Sequence, residues 1–128
     1  ELDVREITRI DPLRINDYLC ENPQNIAYYG GIHGRVKSAA DRQEWVVKKT
    51  RSQKAVEIRR KDHKISAAAV DDAVEADPEV ISAYERLHEL RQNEHIIYSF
   101  LMSLIAQRDC LIALANNIRT EMRMAEKS

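Results

Sequence analysis

The segment Gly30-Gly31-Ile32-His33-Gly34, followed by Lys37-Ser38, carries the residue types of a phosphate-binding loop. Such a loop needs a strand before it and a glycine directly before the lysine, so that backbone N–H groups can close around phosphate oxygens. Here Val36 precedes Lys37 and the flanking residues have no strand pattern. A second candidate is Glu85-Arg86-Leu87-His88, the Glu-x-x-His of di-metal helical bundles, with Glu94 and His95 two turns on. That chemistry needs a matching motif on another helix. The other histidines do not supply it, since Arg60 lies three residues before His63 and Gly30 three before His33. No metal and no other cofactor is expected.

Nucleophilic chemistry finds no better support. Cys20 and Cys110 have no histidine close in sequence and fit neither a disulfide framework nor a metal spacing. Cys110 lies in an apolar stretch, where a thiol is expected to act as a small buried hydrophobe. The serines sit in no strained strand-to-helix elbow, and the acids form no evident catalytic pair. The chain is read as a non-enzyme.

Charge is the stronger signal. Residues 48–64 carry eight bases (Lys48, Lys49, Arg51, Lys54, Arg59, Arg60, Lys61, Lys64) against Glu57 and Asp62. Residues 65–95 carry eight acids against Arg86 and Arg91. The two blocks cancel in a formal net charge of −1 without cancelling in space, so an anionic partner stays open. Several of the bases recur at helical spacing and could track a phosphate backbone, with Trp45, Tyr28 and Tyr29 available to stack on unpaired bases. The plainer alternative is a solvated charged face, or one neutralised by the acidic block folding back.

These residues must be positioned by helices. With 44% hydrophobic residues the chain can build a core, and with three glycines and three prolines it lacks the turns of a sheet protein. Proline punctuation sets the elements. Asp11-Pro12 opens a short helix in an N-terminal arm over 1–22, and Asn22-Pro23 opens a long helix over 23–64. Ser66 caps an elbow helix over 66–76, and Asp77-Pro78 opens a second long helix over 78–126. The expected fold is all-α, a single domain of two long helices in an elongated hairpin with a short elbow and a short N-terminal helix.

The last helix repeats apolar residues in steps of three and four from Val80 to Ala125, a heptad seam broken by Glu94 and Arg108. Off this seam, Ile96, Tyr98, Phe100, Met102, Ile105 and Ile112 make the helix apolar on nearly every side. One partner helix cannot cover such a surface, so a homo-oligomer is expected. Ile97, Leu101, Leu104, Arg108, Leu111 and Ile118 are its expected contacts. Glu94 and Arg108 either pair across an antiparallel subunit contact, or Arg108 meets an acid of the elbow. In the first helix, Ala27, Gly31, Gly34 and Ser38 form a stripe of small residues. Close helix–helix approach, with this face pairing between subunits, is the favoured reason, and a break at Gly30-Gly31 the alternative.

The order of features resembles the phage recombination mediators of the UvsY-like family. The resemblance rests on the basic run Lys54-Ala-Val-Glu-Ile-Arg59-Arg60-Lys61, then Lys64-Ile65-Ser66 and an alanine-rich elbow. It continues through Ala76-Asp77-Pro78-Glu79-Val80 and an apolar helix carrying Gln107-Arg108-Asp109 and Leu111-Ile112, from about Asn22 to Met122. The segment Gly30–Gly34 departs from the family's pattern. The resemblance implies a ring-like oligomer that binds single-stranded DNA and helps load a RecA-like recombinase onto strands covered by single-strand-binding protein. It implies DNA contacts at Lys54, Arg59, Arg60 and Lys61, to which the charge pattern adds Lys49 and Lys64.

The expected function is therefore a non-enzymatic, oligomeric, single-stranded-DNA-binding recombination mediator. The alternative is a helical phage assembly, adaptor or scaffolding protein with no DNA-binding role. No signal-peptide pattern opens the sequence, and Ile96–Ala106 reads as too short to span a bilayer before Arg108 and Asp109. A cytoplasmic location is expected, that of the host if the chain is phage-encoded, with no membrane partner.

Overall fold

The computed structural model describes residue 10 and residues 14–127, and over them the chain is all-α. Helices α1 (Ile15–Lys61), α2 (Ala67–Glu75) and α3 (Pro78–Lys127) give the long–short–long order of a helical hairpin. The expected start at Asp11-Pro12 lies outside the described residues. The described residues fold as two compact units, one running to His33 and resuming at Ile96, the other Gly34–His95.

One expectation about α1 is corrected. The helix does not restart at Asn22-Pro23 but runs through Pro23 without interruption. Proline inside a helix removes one N–H and crowds the carbonyl four residues back, at about 3 kcal/mol. The adjacent Asn22 supplies the offset. It is 2% exposed, and its Nδ2 donates to the Leu104 carbonyl at 2.9 Å and to Gln107 Oε1 at 2.8 Å. That pair of bonds fastens α1 to α3 one residue from the proline. The glycines do not break the helix, and within the protomer nothing packs closely against them. An added Cβ at Gly30, Gly31 or Gly34 would meet nothing within 4 Å, and none has positive φ.

In the first unit, α1 and α3 run antiparallel, as the pairs Asn22–Gln107, Tyr29–Phe100 and His33–Tyr98 require. Phe100, Leu104, Gln107 and Leu111 form the buried row of α3. The Tyr29 ring packs edge-on to Phe100 at 4.5 Å between centroids. Burial of each large apolar side chain contributes about 1.5–3 kcal/mol. Cys20 and Cys110 are both exposed, which corrects the expectation that Cys110 is buried.

In the second unit, Val70, Val74 and Val80 make a small core against Ala55, Ile58 and Ile65. The caps follow from sequence. Ser66 Oγ accepts from the Ala69 N–H, and Asp77 Oδ1 accepts from the N–H groups of Glu79 and Val80. Each cap satisfies donors that the first helical turn leaves unpaired. Ala40 and Val47 of α1 are buried in this unit too, and polar bridges join its helices as well. Gln43 Nε2 donates to the Ala83 carbonyl at 3.0 Å. Arg51 pairs with Glu75, and its other contact is the Tyr84 hydroxyl at 2.9 Å.

Candidate nucleic-acid interface

The second unit sorts the charges of α1 by face. Between Gly34 and Lys61 the helix has three acids, Asp41, Glu44 and Glu57. All three are occupied. Arg91 of α3 holds Asp41 and Glu44 at 3.0 Å each and Glu94 at 2.8 Å, and Lys54 holds Glu57 at 3.6 Å. The hydrogen bond to Glu94, then that to Asp41, raises the Arg91 pKa above its ordinary value.

Lys54 leaves the set of expected DNA contacts. Its side chain is 17% exposed and lies within reach of Glu79 at 3.3 Å and Asp77 at 3.7 Å as well as Glu57. The Glu79 contact is the main cause of its raised pKa. An ammonium shared by three carboxylates has little field left for a phosphate. Arg51 is likewise committed, to Glu75 and Tyr84.

The remaining bases of this stretch (Arg35, Lys37, Arg42, Lys48, Lys49, Arg59, Arg60 and Lys61) are exposed. Among the described residues none of them has a carboxylate partner. Lys64, just beyond α1, is exposed too, and its backbone N–H donates to Asp62 Oδ1 at 3.0 Å. At about 100° per residue, steps of seven or eleven residues return nearly to the same side of a helix. Lys37, Lys48 and Arg59 therefore form one straight row, and Arg35, Arg42, Lys49 and Arg60 a second. The midline between the rows holds Ser38, Trp45, Ser52 and Val56. Trp45 is 62% exposed, with Lys49 Nζ over its ring at 5.1 Å from the centroid.

Arg35, Lys37 and Arg42 were missed in the sequence because they lie before the dense block at 48–64. The repeat of seven and eleven residues is the signal that identifies them. Arg59, Arg60 and Lys61 also occupy the last turn of α1, where cations complement the partial negative charge of unpaired carbonyls. Tyr29 is committed to Phe100, whereas Tyr28 is exposed in the first unit.

The expected oligomer contacts divide. Leu104 and Leu111 are fully buried within the protomer, and Ile97 and Leu101 are half-buried there. Leu104 and Leu111 belong to the packing within the protomer, while Ile97 and Leu101 keep part of their surface accessible. Arg108 is exposed and contacts the adjacent Asp109 at 3.3 Å, while Glu94 is held by Arg91. Gln107 rather than Arg108 occupies the inward row. Of the expected contacts, Ile118 and Arg108 stay accessible, and Ile96, Tyr98, Met102 and Ile112 are exposed beside them. Helix α3 also includes an 18-residue stretch long and apolar enough to cross a membrane by length and composition alone, a test that core helices of soluble proteins pass as well.

Glu85 and His88 are exposed, and among the described residues no three His, Cys, Asp or Glu side chains come together as a metal-binding group. No protein-family model, curated protein or solved structure matches this chain.

Proposed function

We propose that this protein is an oligomeric, non-enzymatic mediator that binds single-stranded DNA along the outward face of α1. One observation carries the reading: every acid of α1 between Gly34 and Lys61 is consumed by an ion pair, while eight bases of the same stretch carry none. Such a face attracts a polyanion through counterion release, and an exposed aromatic on its midline suits unpaired bases. The step from DNA binding to loading a RecA-like recombinase, in the presence of single-strand-binding protein, is supported by the UvsY-like resemblance alone.

Self-association belongs to the same proposal. Ile96, Tyr98, Met102 and Ile112 leave a large apolar surface on α3 exposed, and a second copy is the cover that also gains avidity along one strand. A membrane is the less suitable cover, because Arg108 and Asp109 interrupt the apolar run and charges at bilayer depth are costly.

Fluorescence anisotropy of a labelled single-stranded oligonucleotide, titrated at low and moderate salt, tests the reading. Binding is expected to exceed that of the matching duplex and to fall with added salt. Replacing both Arg59 and Arg60 by alanine should lower the slope of log affinity against log salt by about 1.4, taking ~0.7 per phosphate contact on a single strand. A flat titration with folded protein would instead favour a helical assembly or adaptor role.

A further inference from the structure

We infer that Trp45 is a base-stacking platform: one nucleobase of an extended single strand lies on its indole while the flanking phosphates are held by the two cationic rows. This inference rests on the DNA-binding reading and specifies where on the helix a base, rather than only the backbone, is held.

Three observations converge on this side chain. Large aromatic side chains usually bury their surface, yet Trp45 keeps 62% of its own in solvent on a helix whose opposite face packs Val47 and Ala40. It sits midway between the rows, with Lys48 on one side and Lys49 on the other. Lys49 Nζ stands over one face of the ring at 5.1 Å, so a base would stack on the other face, with this ammonium and the neighbouring cations close enough to meet its flanking phosphates.

The apolar content of this face is too small for other partners. Trp45, Val46 and Val56 are its exposed large apolar residues, set among arginine, lysine, serine and glutamine. A protein interface or a membrane surface needs more apolar area than these three residues offer. A single strand needs isolated flat rings between cations. Along the helix, Arg42, Lys49 and Arg60 are spaced at about 10 and 16 Å, so cations stand on both sides of the indole.

Trp45 is the chain's single tryptophan, so its fluorescence reports this site alone. The experiment titrates the intact chain with oligo(dT), with an abasic oligonucleotide of equal length, and with anionic phospholipid vesicles. Tryptophan emission and the anisotropy of labelled DNA are followed in parallel. Stacking predicts strong quenching by oligo(dT) and little by the abasic strand at equal occupancy. Trp45→Ala should weaken oligo(dT) binding by about 5- to 150-fold, the range for loss of one base–aromatic stack, with the salt slope unchanged. Trp45→Phe should recover part of that loss and Trp45→Leu little. Binding by anisotropy with unchanged emission, or with Trp45→Ala as tight as the parent, overturns the inference and leaves the DNA-binding reading intact. Absence of binding in anisotropy overturns both. Emission that shifts with vesicles or with protein concentration, and not with oligo(dT), assigns the indole to a membrane or a second copy and overturns the inference.

Discussion

Replacing the three helical glycines by alanine should stabilise the protein. Gly30, Gly31 and Gly34 lie inside α1, none has positive φ, and a Cβ added at any of them meets no atom within 4 Å. Alanine therefore adds no clash and removes the backbone freedom that glycine loses on folding, worth about 0.8–1 kcal/mol at an interior helix position. The sites are within one turn of each other but share no side-chain partner, so the effects should sum to about 2.5–3 kcal/mol. At roughly 4 °C per kcal/mol for a chain of this size, the thermal midpoint should rise by about 10 °C. Circular dichroism melts and urea titrations of the single variants and the triple variant provide the assay, with an unchanged m-value showing that stability changed without a change in the surface exposed on unfolding. Loss of stability in any single variant would refute the reasoning, because it requires an atom against that face which the protomer does not supply. A simultaneous fall in native mass would identify that atom as part of a neighbouring subunit.

Further expectations concern the packing and the ion pairs. Leu104→Ala should cost about 2–5 kcal/mol, because Leu104 is completely buried beside Asn22, and Leu104→Asp should unfold the first unit rather than merely dissociate an oligomer. Ile112→Asp, on the exposed side of α3, should instead lower native mass in light scattering with helicity retained. Pro23→Ala should stabilise by about 2 kcal/mol, the restored helical hydrogen bond outweighing the added freedom of the unfolded chain. Lys54 has a pKa raised mainly by Glu79, so its ion pairs act fully at neutral pH and are lost as pH climbs through that raised value. Alkaline urea titrations should show this loss in the parent and a smaller one in Lys54→Gln. Both cysteines are exposed, and two thiols should react with a thiol reagent in the native protein without a lag for unfolding.

Helix identity was legible where the signal is local. Ser66, Asp77 and Pro78 act through their own backbone neighbours, and the caps appear at those residues. The signal at Asn22-Pro23 has the same local form, but its outcome is decided by Leu104 and Gln107, more than eighty residues away in sequence. The seam of α3 was correct in period and displaced in detail. Leu104 and Leu111 belong to both neighbouring rows, so spacing alone does not choose between Gln107 and Arg108 as the residue between them. The choice falls to Gln107 because it offers Asn22 an acceptor. The basic face was legible as a block, and its composition was not. Lys54 has the same charge as its neighbours but lies nine residues from Trp45, on the opposite side of the helix, where it meets Asp77 and Glu79. Arg91 makes the opposite contribution, pairing with Asp41 and Glu44 and so offsetting their negative charge beside the outer rows.

That sorting has a chromatographic consequence. A sequence isoelectric point near 6.5 and a net charge of −1 predict weak retention on a cation exchanger at neutral pH. A resin, however, responds to the surface that faces it. The outer rows of α1 present unopposed ammonium and guanidinium groups, while Asp71 and Asp72 stand exposed on α2. The protein should therefore be held by both cation and anion exchangers at the same pH. Within the second unit, that separation of charge would favour approach of a polyanion to the α1 face before the two surfaces touch.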